Sequence, residues 1–484
     1  MPNVYNGSIR DAEYVARVRR HSPSSLLPLV AQTAANYWEP GSWLKSPFKK
    51  YTPWALADIA RISLISGNES RSRATQDDVL QCCAAYVAVN DPELGSSDHP
   101  DTLTKFMLRI TSEQDYYQPP FNEATRTAAI FEKTMPSKPL KIIKPRWDID
   151  LFGCTLSQYV GTGFFVQAAA GKNGGRFSAA WFDKPELDAI TAVLPVTVLA
   201  ETVERNYEAP TAWFREQRRP KLADEFRRFT FNPLRDKPVV SGIVSDLLVP
   251  VLHEISRKIS PLGVYYAGAK LWGNSFTDEV GDLFEQYVGR QLATIPNVIV
   301  HPEVVYDKGA KRGVDWIVVC DSVIILVEVK SVRPTEAVRV GTTDAGDELK
   351  RMLGRAYKQL NVTDELIATQ HAAFAHIPAN LPRVGLIVTM EPFAIANAKP
   401  IRDLIGASPN MPTSVCASQD IERLVTLQDQ DVGTFLANFL TDPTKDGWQI
   451  STGLADMELS RNVILDQAWD SYEWGGPIKK VSSN

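Results

Sequence analysis

Between positions 313 and 331 the chain reads Gly-Val-Asp-Trp-Ile-Val-Val-Cys-Asp-Ser-Val-Ile-Ile-Leu-Val-Glu-Val-Lys-Ser, two apolar runs whose interior charges are Asp315, Glu328 and Lys330. Residues 314–320 and 323–329 are rich in β-branched side chains and are split by Asp321-Ser322, which predicts an antiparallel hairpin with a short polar turn. With Asp321 and Ser322 as a two-residue loop, 320 pairs with 323, 319 with 324, and so on to 315 with 328. Asp315 then lies across from Glu328. Side chains alternate faces along a strand, so Lys330 shares the face of Glu328, and directly opposed Cβ atoms lie roughly 5 Å apart. Carboxylates held that close in a poorly solvated sheet repel unless one takes a proton or a cation lies between them. Mg²⁺ suits such a place, because it binds through one or two carboxylates, keeps several waters and accepts phosphate oxygens. A register slip of one residue would send the two carboxylates to opposite faces, so their pairing depends on the loop.

An acid and a lysine two apart at the end of an apolar strand also suit a paired, solvated strand end, and Glu-x-Lys alone carries little information. The flanking elements add to it. Residues 277–294 carry Val280, Leu283, Phe284, Tyr287, Val288 and Leu292, a helical stripe with Thr277 as its expected cap and Asp278 and Glu279 in the first turn. Residues 347–369 read as a second helix bearing Tyr357-Lys358-Gln359-Leu360, and 298–305 and 384–389 read as further strands. Asp315, twelve intervening residues, then Glu328-Val329-Lys330 resembles the PD-(D/E)xK signature of restriction-endonuclease-like nucleases, with Val314 where the signature has Pro. The stretch Gly281-Asp-Leu-Phe-Glu285-Gln-Tyr-Val288 is similar to the acidic first helix of many such nucleases, and Gln359 to the glutamine often borne by the helix after the motif. The order helix, strand, strand, strand, helix, strand is similar to that family's core and covers about residues 271–410.

Carried over residue by residue, the resemblance implies that Asp315 and Glu328 ligate a metal, with the Val329 carbonyl as a further ligand. Lys330 would orient or activate the attacking water and offset charge on the scissile phosphate. Glu285 would hold a second metal or a metal-bound water, and Gln359 would position Lys330 or the phosphate. Glu285 also suits an exposed helix acid and Gln359 an ordinary surface amide. The implied activity is hydrolysis of phosphodiester bonds with Mg²⁺ or Mn²⁺ as Lewis acid and source of hydroxide, on DNA ahead of RNA. Lys308, Lys311, Arg312, Arg333, Arg339 and Lys350 flank the site and mark the expected path of the substrate backbone. Two alternatives stay open: a non-catalytic nuclease-fold module for DNA docking or assembly, and a structure-specific nuclease of repair or recombination.

At 484 residues the chain exceeds a single core and is expected to divide into about two to four domains. The expected class is α/β. A mainly helical N-terminal region over 1–135 leads to a small β element at 136–184 and a helical neck at 185–270. The nuclease domain at 271–410, a central mixed sheet flanked by helices, precedes a C-terminal helix and tail at 411–484. Within these, 54–66 and 76–90 read as amphipathic helices. Residues 140–143, 163–169 and 176–182 read as strands, the last two joined by a hairpin through Gly171-Lys-Asn-Gly-Gly175. Gly171-Lys172 lacks the Walker spacing, so no ATP site is expected. Residues 239–259 and Val264-Tyr-Tyr266 read as the helical neck, 418–440 as a helix, and 475–484 as a fraying end.

A hydrophobic fraction of 44% and a charged fraction of 23% fit a globular protein, and a net charge of -5 excludes a generally basic nucleic-acid coat. Nucleic acid would have to be held by local patches. Arg215, Arg218, Arg219, Lys221, Arg227 and Arg228 form a basic run, but Glu216, Asp224 and Glu225 interrupt it, which fits a salt-bridged helix better than a phosphate track. Tyr37, Trp38, Trp43, Phe48, Tyr51 and Trp54, interleaved with Lys45, Lys49 and Lys50, fit core anchors better than base-stacking platforms. The five cysteines have no metal-knuckle spacing and suit a reducing cytosol, and the six histidines show no zinc-protease spacing. No signal peptide and no membrane span is read, so a cytoplasmic location is expected. A free nuclease endangers its host. The N-terminal region is therefore expected to sense a ligand, a regulatory protein partner or a DNA feature, in restriction or another defence against foreign DNA; a homo-oligomer is compatible with that role.

Overall fold

The computed structural model describes residues 8–37, 50–94, 101–116, 122–217, 224–331, 334–342, 344–393, 395–406 and 408–475, and the fold is mixed α/β. No helix among the described residues is long and apolar enough to cross a membrane. Four helices, Asp11–Val18, Pro23–Asn36, Pro53–Ser66 and Gln76–Val87, build an N-terminal core. Proline at the first position starts two of them, where its missing N–H would be unpaired in any case, and a reciprocal Thr75–Asp78 capping box starts the fourth. Pro53–Ser66 departs from the amphipathic helix expected there. It is buried from Trp54 to Leu64, including Asp58 and Arg61, and so runs through the centre of the core.

The small β element is corrected by the structure. Residues 163–169, expected as a strand, lie inside the helix Leu156–Lys172, which opens on a Thr155–Gln158 capping box and buries Leu156, Tyr159, Val160 and Phe165 at helical spacing. Gly163 sits in this helix because Ile259 and Tyr207 press against it; a Cβ there would fall 2.3 Å from Ile259 Cγ2. The Asn-Gly-Gly sequence does turn the chain, with positive φ at Gly174 and Gly175, but it ends a helix instead of closing a hairpin. Residues 140–143 form no strand and wrap the Glu279 carboxylate, which accepts their backbone N–H groups. Only Arg176–Phe177 pairs, with Leu247–Leu248, in a four-stranded sheet completed by Glu208–Pro210 and Val239–Ser241. The neck expected over 239–259 is thus two short strands followed by the helix Leu252–Lys258, since Val239-Val240 packs as a β-branched pair and Gly242 takes φ 81°. Val264 to Tyr266 do lie in a helix, Pro261–Trp272.

Numbered within the C-terminal half, the elements are α1 (Asn274–Leu292), β1 (Ile299–Pro302), β2 (Trp316–Val319), β3 (Ile324–Lys330), α2 (Glu336–Val340), α3 (Ala345–Ala368), β4 (Arg383–Thr389) and β5 (Thr413–Ala417). The strands form one sheet in the order β5-β4-β3-β2-β1, in which β3, β4 and β5 run parallel and β2 and β1 antiparallel to their neighbours. Its fifth strand lies beyond the boundary expected near residue 410, and the helix expected over 418–440 is two, Ser418–Leu424 and Val432–Thr441, the second capped by Asp431. Thr277 is not a cap: α1 starts at Asn274, and the Thr277 hydroxyl donates to the Asn274 carbonyl within the first turn.

Helices cover both faces of the sheet, which is why β3 reads as a continuous apolar run. Ile325, Val327 and Val329 pack with Leu283, Phe284, Tyr287 and Val288 of α1, while Ile324 and Leu326 pack with Leu349, Met352, Leu353 and Leu360 of α3. Full burial of each such side chain is worth roughly 1.5–3 kcal/mol, so a slipped register would misplace several at once. Gly289 lets α1 close on β2; a Cβ there would fall 2.2 Å from the Trp316 ring.

Candidate active site

The hairpin has the register expected from its two-residue loop: Val319 pairs with Ile324, Val318 with Ile325, Ile317 with Leu326 and Trp316 with Val327, and Cys320 N–H donates to the Val323 carbonyl at 3.0 Å. The paired ladder ends there, and Asp315, one residue before it, is close enough to Glu328 to raise its carboxyl. Asp315 Oδ2 accepts the Val329 backbone N–H at 2.6 Å, so the acid is tied to the very strand that carries its partner. Glu328 is fully buried, Lys330 Nζ donates to its Oε1, and its Oε2 is buried with no hydrogen-bond partner. Helix α3 reaches the same place through Gln359, whose Oε1 accepts from Lys330 Nζ at 3.4 Å and whose Nε2 donates to the Gly313 carbonyl at 3.3 Å.

The electrostatics are those of a site with too few positive charges. Burial pushes the Glu328 carboxyl up to about 8, and Asp315 adds to this against the pull of Lys330. Burial raises Asp315 to about 6, partly countered by the Val329 N–H and Lys330. Glu285, on α1, is raised to about 7 by burial and then by Asp315, Glu303 and Asp282. Glu285 therefore shares the field of the pair. Among the described residues, however, no group of three or more His, Cys, Asp or Glu side chains is arranged to hold a metal ion, so Glu285 does not complete a three-carboxylate cage. The donor set is the pair Asp315 and Glu328. An orphaned, buried carboxylate oxygen beside a second carboxylate is what a hard cation with retained waters would satisfy, so the residues fit Mg²⁺.

The cations expected along a substrate path are distributed less simply. Lys308 and Lys350 are exposed. Lys311 pairs with Asp307 at 2.8 Å, Arg312 with Glu303 at 2.6 Å and Arg339 with Glu391 at 2.9 Å. Arg333 lies outside the described residues. Of the basic run at 215–228, Arg218, Arg219 and Lys221 also lie outside them, the helix ends at Glu216, and Arg227 is bound to Asp11 and Asp58. No phosphate-tracking helix forms there among the described residues. In the aromatic run, Tyr37 stacks on Tyr51 at 5.4 Å and Trp54 is buried, whereas 38–49 are outside the described residues. His301 packs against His376 at 4.9 Å on the sheet's edge.

Two residues near the site were not singled out from the sequence. Glu303 raises both Asp315 and Glu285, and its signal was that of Asp315 and Glu328, a charge inside an apolar strand run. Thr363 is fully buried and its Oγ1 accepts the Val314 N–H at 3.1 Å, fixing the strand just before Asp315. It lies four residues after Gln359, on the same face of α3. No family model matches the chain, and neither does any curated protein or solved structure with which it was compared.

Proposed function

We propose that the chain is a metal-dependent nuclease of the PD-(D/E)xK kind, hydrolysing phosphodiester bonds, with DNA as its substrate. The observation that carries this reading is the neighbouring Asp315 and Glu328 carboxyls at the end of the hairpin, with Lys330 donating to Glu328 and Glu328 Oε2 left without a partner. The succession α1, β1, β2, β3, α3, β4, with helices on both faces, supports the same reading. Asp315 and Glu328 would hold Mg²⁺ or Mn²⁺, which when bound supplies Lewis-acid polarisation of the phosphate and favours an ionised water. The chain's own part is positional. Lys330 Nζ, held between Glu328 Oε1 and Gln359 Oε1, places a positive charge and a donor where a phosphate oxygen gathers charge as water attacks phosphorus and the P–O3′ bond breaks. Asp315 is kept in place by the Val329 N–H, and Glu285 is a carboxyl near neutrality in its affinity for protons, suited to take or return one through a water.

Restraint by the N-terminal region, in restriction or other defence against foreign DNA, is the biological role we attach to this reading. Its motivation is the packing of α2 against the N-terminal half: Arg109, fully buried on the helix Thr102–Tyr116, donates to the Val340 carbonyl at the end of α2, ten residues after Lys330. The test is a cleavage assay on supercoiled plasmid, linear duplex, and single-stranded DNA and RNA, with Mg²⁺ or Mn²⁺. Cleavage abolished by EDTA, by Asp315→Ala and by Lys330→Ala is the expected result. Divalent-metal binding that ignores Asp315 and Glu328, together with no cleavage of any substrate, would instead identify a non-catalytic docking module; a preference for branched or nicked DNA would point to repair.

A further inference from the structure

Away from the carboxylate site, where the N-terminal half meets α2, five arginines line one pocket: Arg61, Arg109, Arg228, Arg235 and Arg339. Two carboxylates, Asp58 and Glu113, share it. Three of the arginines are held by acids: Arg61 by Asp58 at 2.7 Å, Arg109 by Asp91 at 2.6 Å and Glu93 at 2.9 Å, and Arg339 by Glu391 at 2.9 Å. Arg228 is different. Its guanidinium lies 4.5 Å from the Phe229 ring centroid and 5.8 Å from that of Tyr86, its Nη1 reaches the Val89 carbonyl only at 3.4 Å, and its Nε is buried with no hydrogen-bond partner. The acid whose field it feels is Glu113, which accepts the Tyr86 hydroxyl and which burial pushes up to about 7, so that carboxyl carries less than a full charge near neutrality.

A pocket lined by five guanidiniums, in which Arg228 keeps a buried donor without a partner, fits an anion. We propose that it binds a phosphoryl group, as free phosphate or as the terminal monoester of a small molecule, with Arg228 as the principal ligand. The planar guanidinium fork matches phosphate oxygens, and Ser112 and Thr230 also line the space. A polynucleotide backbone does not fit, because Arg61 and Arg109 are 4% and 0% exposed and the room between the side chains is small. The position gives the site a consequence. Arg109 ties the pocket to the end of α2 through the Val340 carbonyl, and Arg339, itself on α2, ties it to Glu391, two residues past Thr389, the β4 partner of Lys330.

The experiment is calorimetric titration of the full chain in EDTA, so that the outcome is independent of any metal-dependent cleavage. The probes are inorganic phosphate, glycerol 3-phosphate, and an oligonucleotide lacking terminal phosphates. Expected is saturable binding of one or both of the first two, weakened at least about tenfold by Arg228→Gln, the loss of a charge-assisted hydrogen bond. Ser112→Glu should abolish it by placing a carboxylate in the pocket without removing an arginine, which guards against a folding failure of the arginine variant. Lys399→Ala, an exposed residue paired with Asp403 elsewhere, should bind as the wild type does. No binding of either small probe by folded wild-type protein would overturn the proposal. Binding that survives both pocket variants, or binding of the oligonucleotide alone, would overturn it equally.

Discussion

Two of the charged clusters buried in this chain are built on opposite plans. In the N-terminal core, Arg227 grips Asp11 and Asp58 with its guanidinium at 2.8 to 3.1 Å, and Arg61 pairs with Asp58 while donating to the carbonyls of Arg227, Thr230 and Phe231. Two acids meet two guanidiniums. Burial pushes Asp58 up, but Arg227 and Arg61 pull harder, and its carboxyl ends below the ordinary range. At the sheet, Asp315 and Glu328, with Glu285 of α1, share the field of one ammonium, and all three carboxyls end above the ordinary range. Burial is common to both clusters. What separates them is whether the fold supplies the opposite charge, and a fold that supplies it at one place and withholds it at another leaves room for a cation at the second.

The contrast is broken most directly by deletion. Asp315→Ala or Lys330→Ala should cost at least about 10³-fold in cleavage, the scale of losing a preorganised charge at the reacting phosphate. Asp58→Ala should do the reverse. It strands Arg61 and Arg227 without their shared acid, costing about 3–5 kcal/mol in urea unfolding, while the surviving folded protein cuts normally. Full activity in Lys330→Ala, or an unchanged unfolding midpoint in Asp58→Ala, would erase the distinction between a site and a structural network.

The sheet cluster was legible because its two informative signals were local: β-branched runs fixed the strands, and a two-residue loop fixed the register that brings Asp315 to Glu328. Gln359 was legible only through the resemblance, which implies a glutamine on the helix after the motif. The N-terminal cluster was not, because Asp11, Asp58, Arg61 and Arg227 come from three distant segments, and nothing in a basic run interrupted by acids reveals that Arg227 turns inward. The small β element failed for a different reason. Apolar residues of 163–169 suit a strand or a buried helix equally, and the deciding partners, Ile259 and Tyr207, lie far along the chain.

Acid and base should also separate the clusters, with opposite signs. A carboxyl raised in the folded state contributes stability that is complete below its unfolded value and is lost as pH rises through its folded value. For Glu328 that window runs from about 4.5 to about 8, and Asp315 and Glu285 act in the same direction up to about 6 and 7. The metal-free protein should therefore lose stability, on the order of 1 kcal/mol or more, as pH rises across this range. Mg²⁺ should restore it, releasing protons as it binds. Glu328→Gln should flatten the slope and remove the Mg²⁺ effect. Asp58, whose carboxyl is lowered, contributes stability that is present above 3.8 and is lost only as pH falls below it. Thermal midpoints across pH, with EDTA or Mg²⁺, read both effects; a metal-free wild type that grows more stable from acid to neutral pH in this window would contradict the charge deficit.

The smallest expected effect sharpens the comparison instead of breaking it. Gln359 touches Lys330 and the Gly313 carbonyl through long hydrogen bonds of 3.4 and 3.3 Å, and Thr363 independently anchors Val314. Gln359→Ala therefore leaves Asp315, Glu328 and the strand in place and loosens only the ammonium. At 3.4 Å the bond from the ammonium falls at the weak end of charge-assisted hydrogen bonds, about 1.5 kcal/mol, so kcat should fall about tenfold with KM unchanged. Glu328 Oε1 still holds Lys330 from the other side. A loss as large as that of Lys330→Ala, accompanied by a raised KM, would mean that Gln359 meets the substrate itself, and the sheet site would then extend onto α3 as a binding surface and not only as a support.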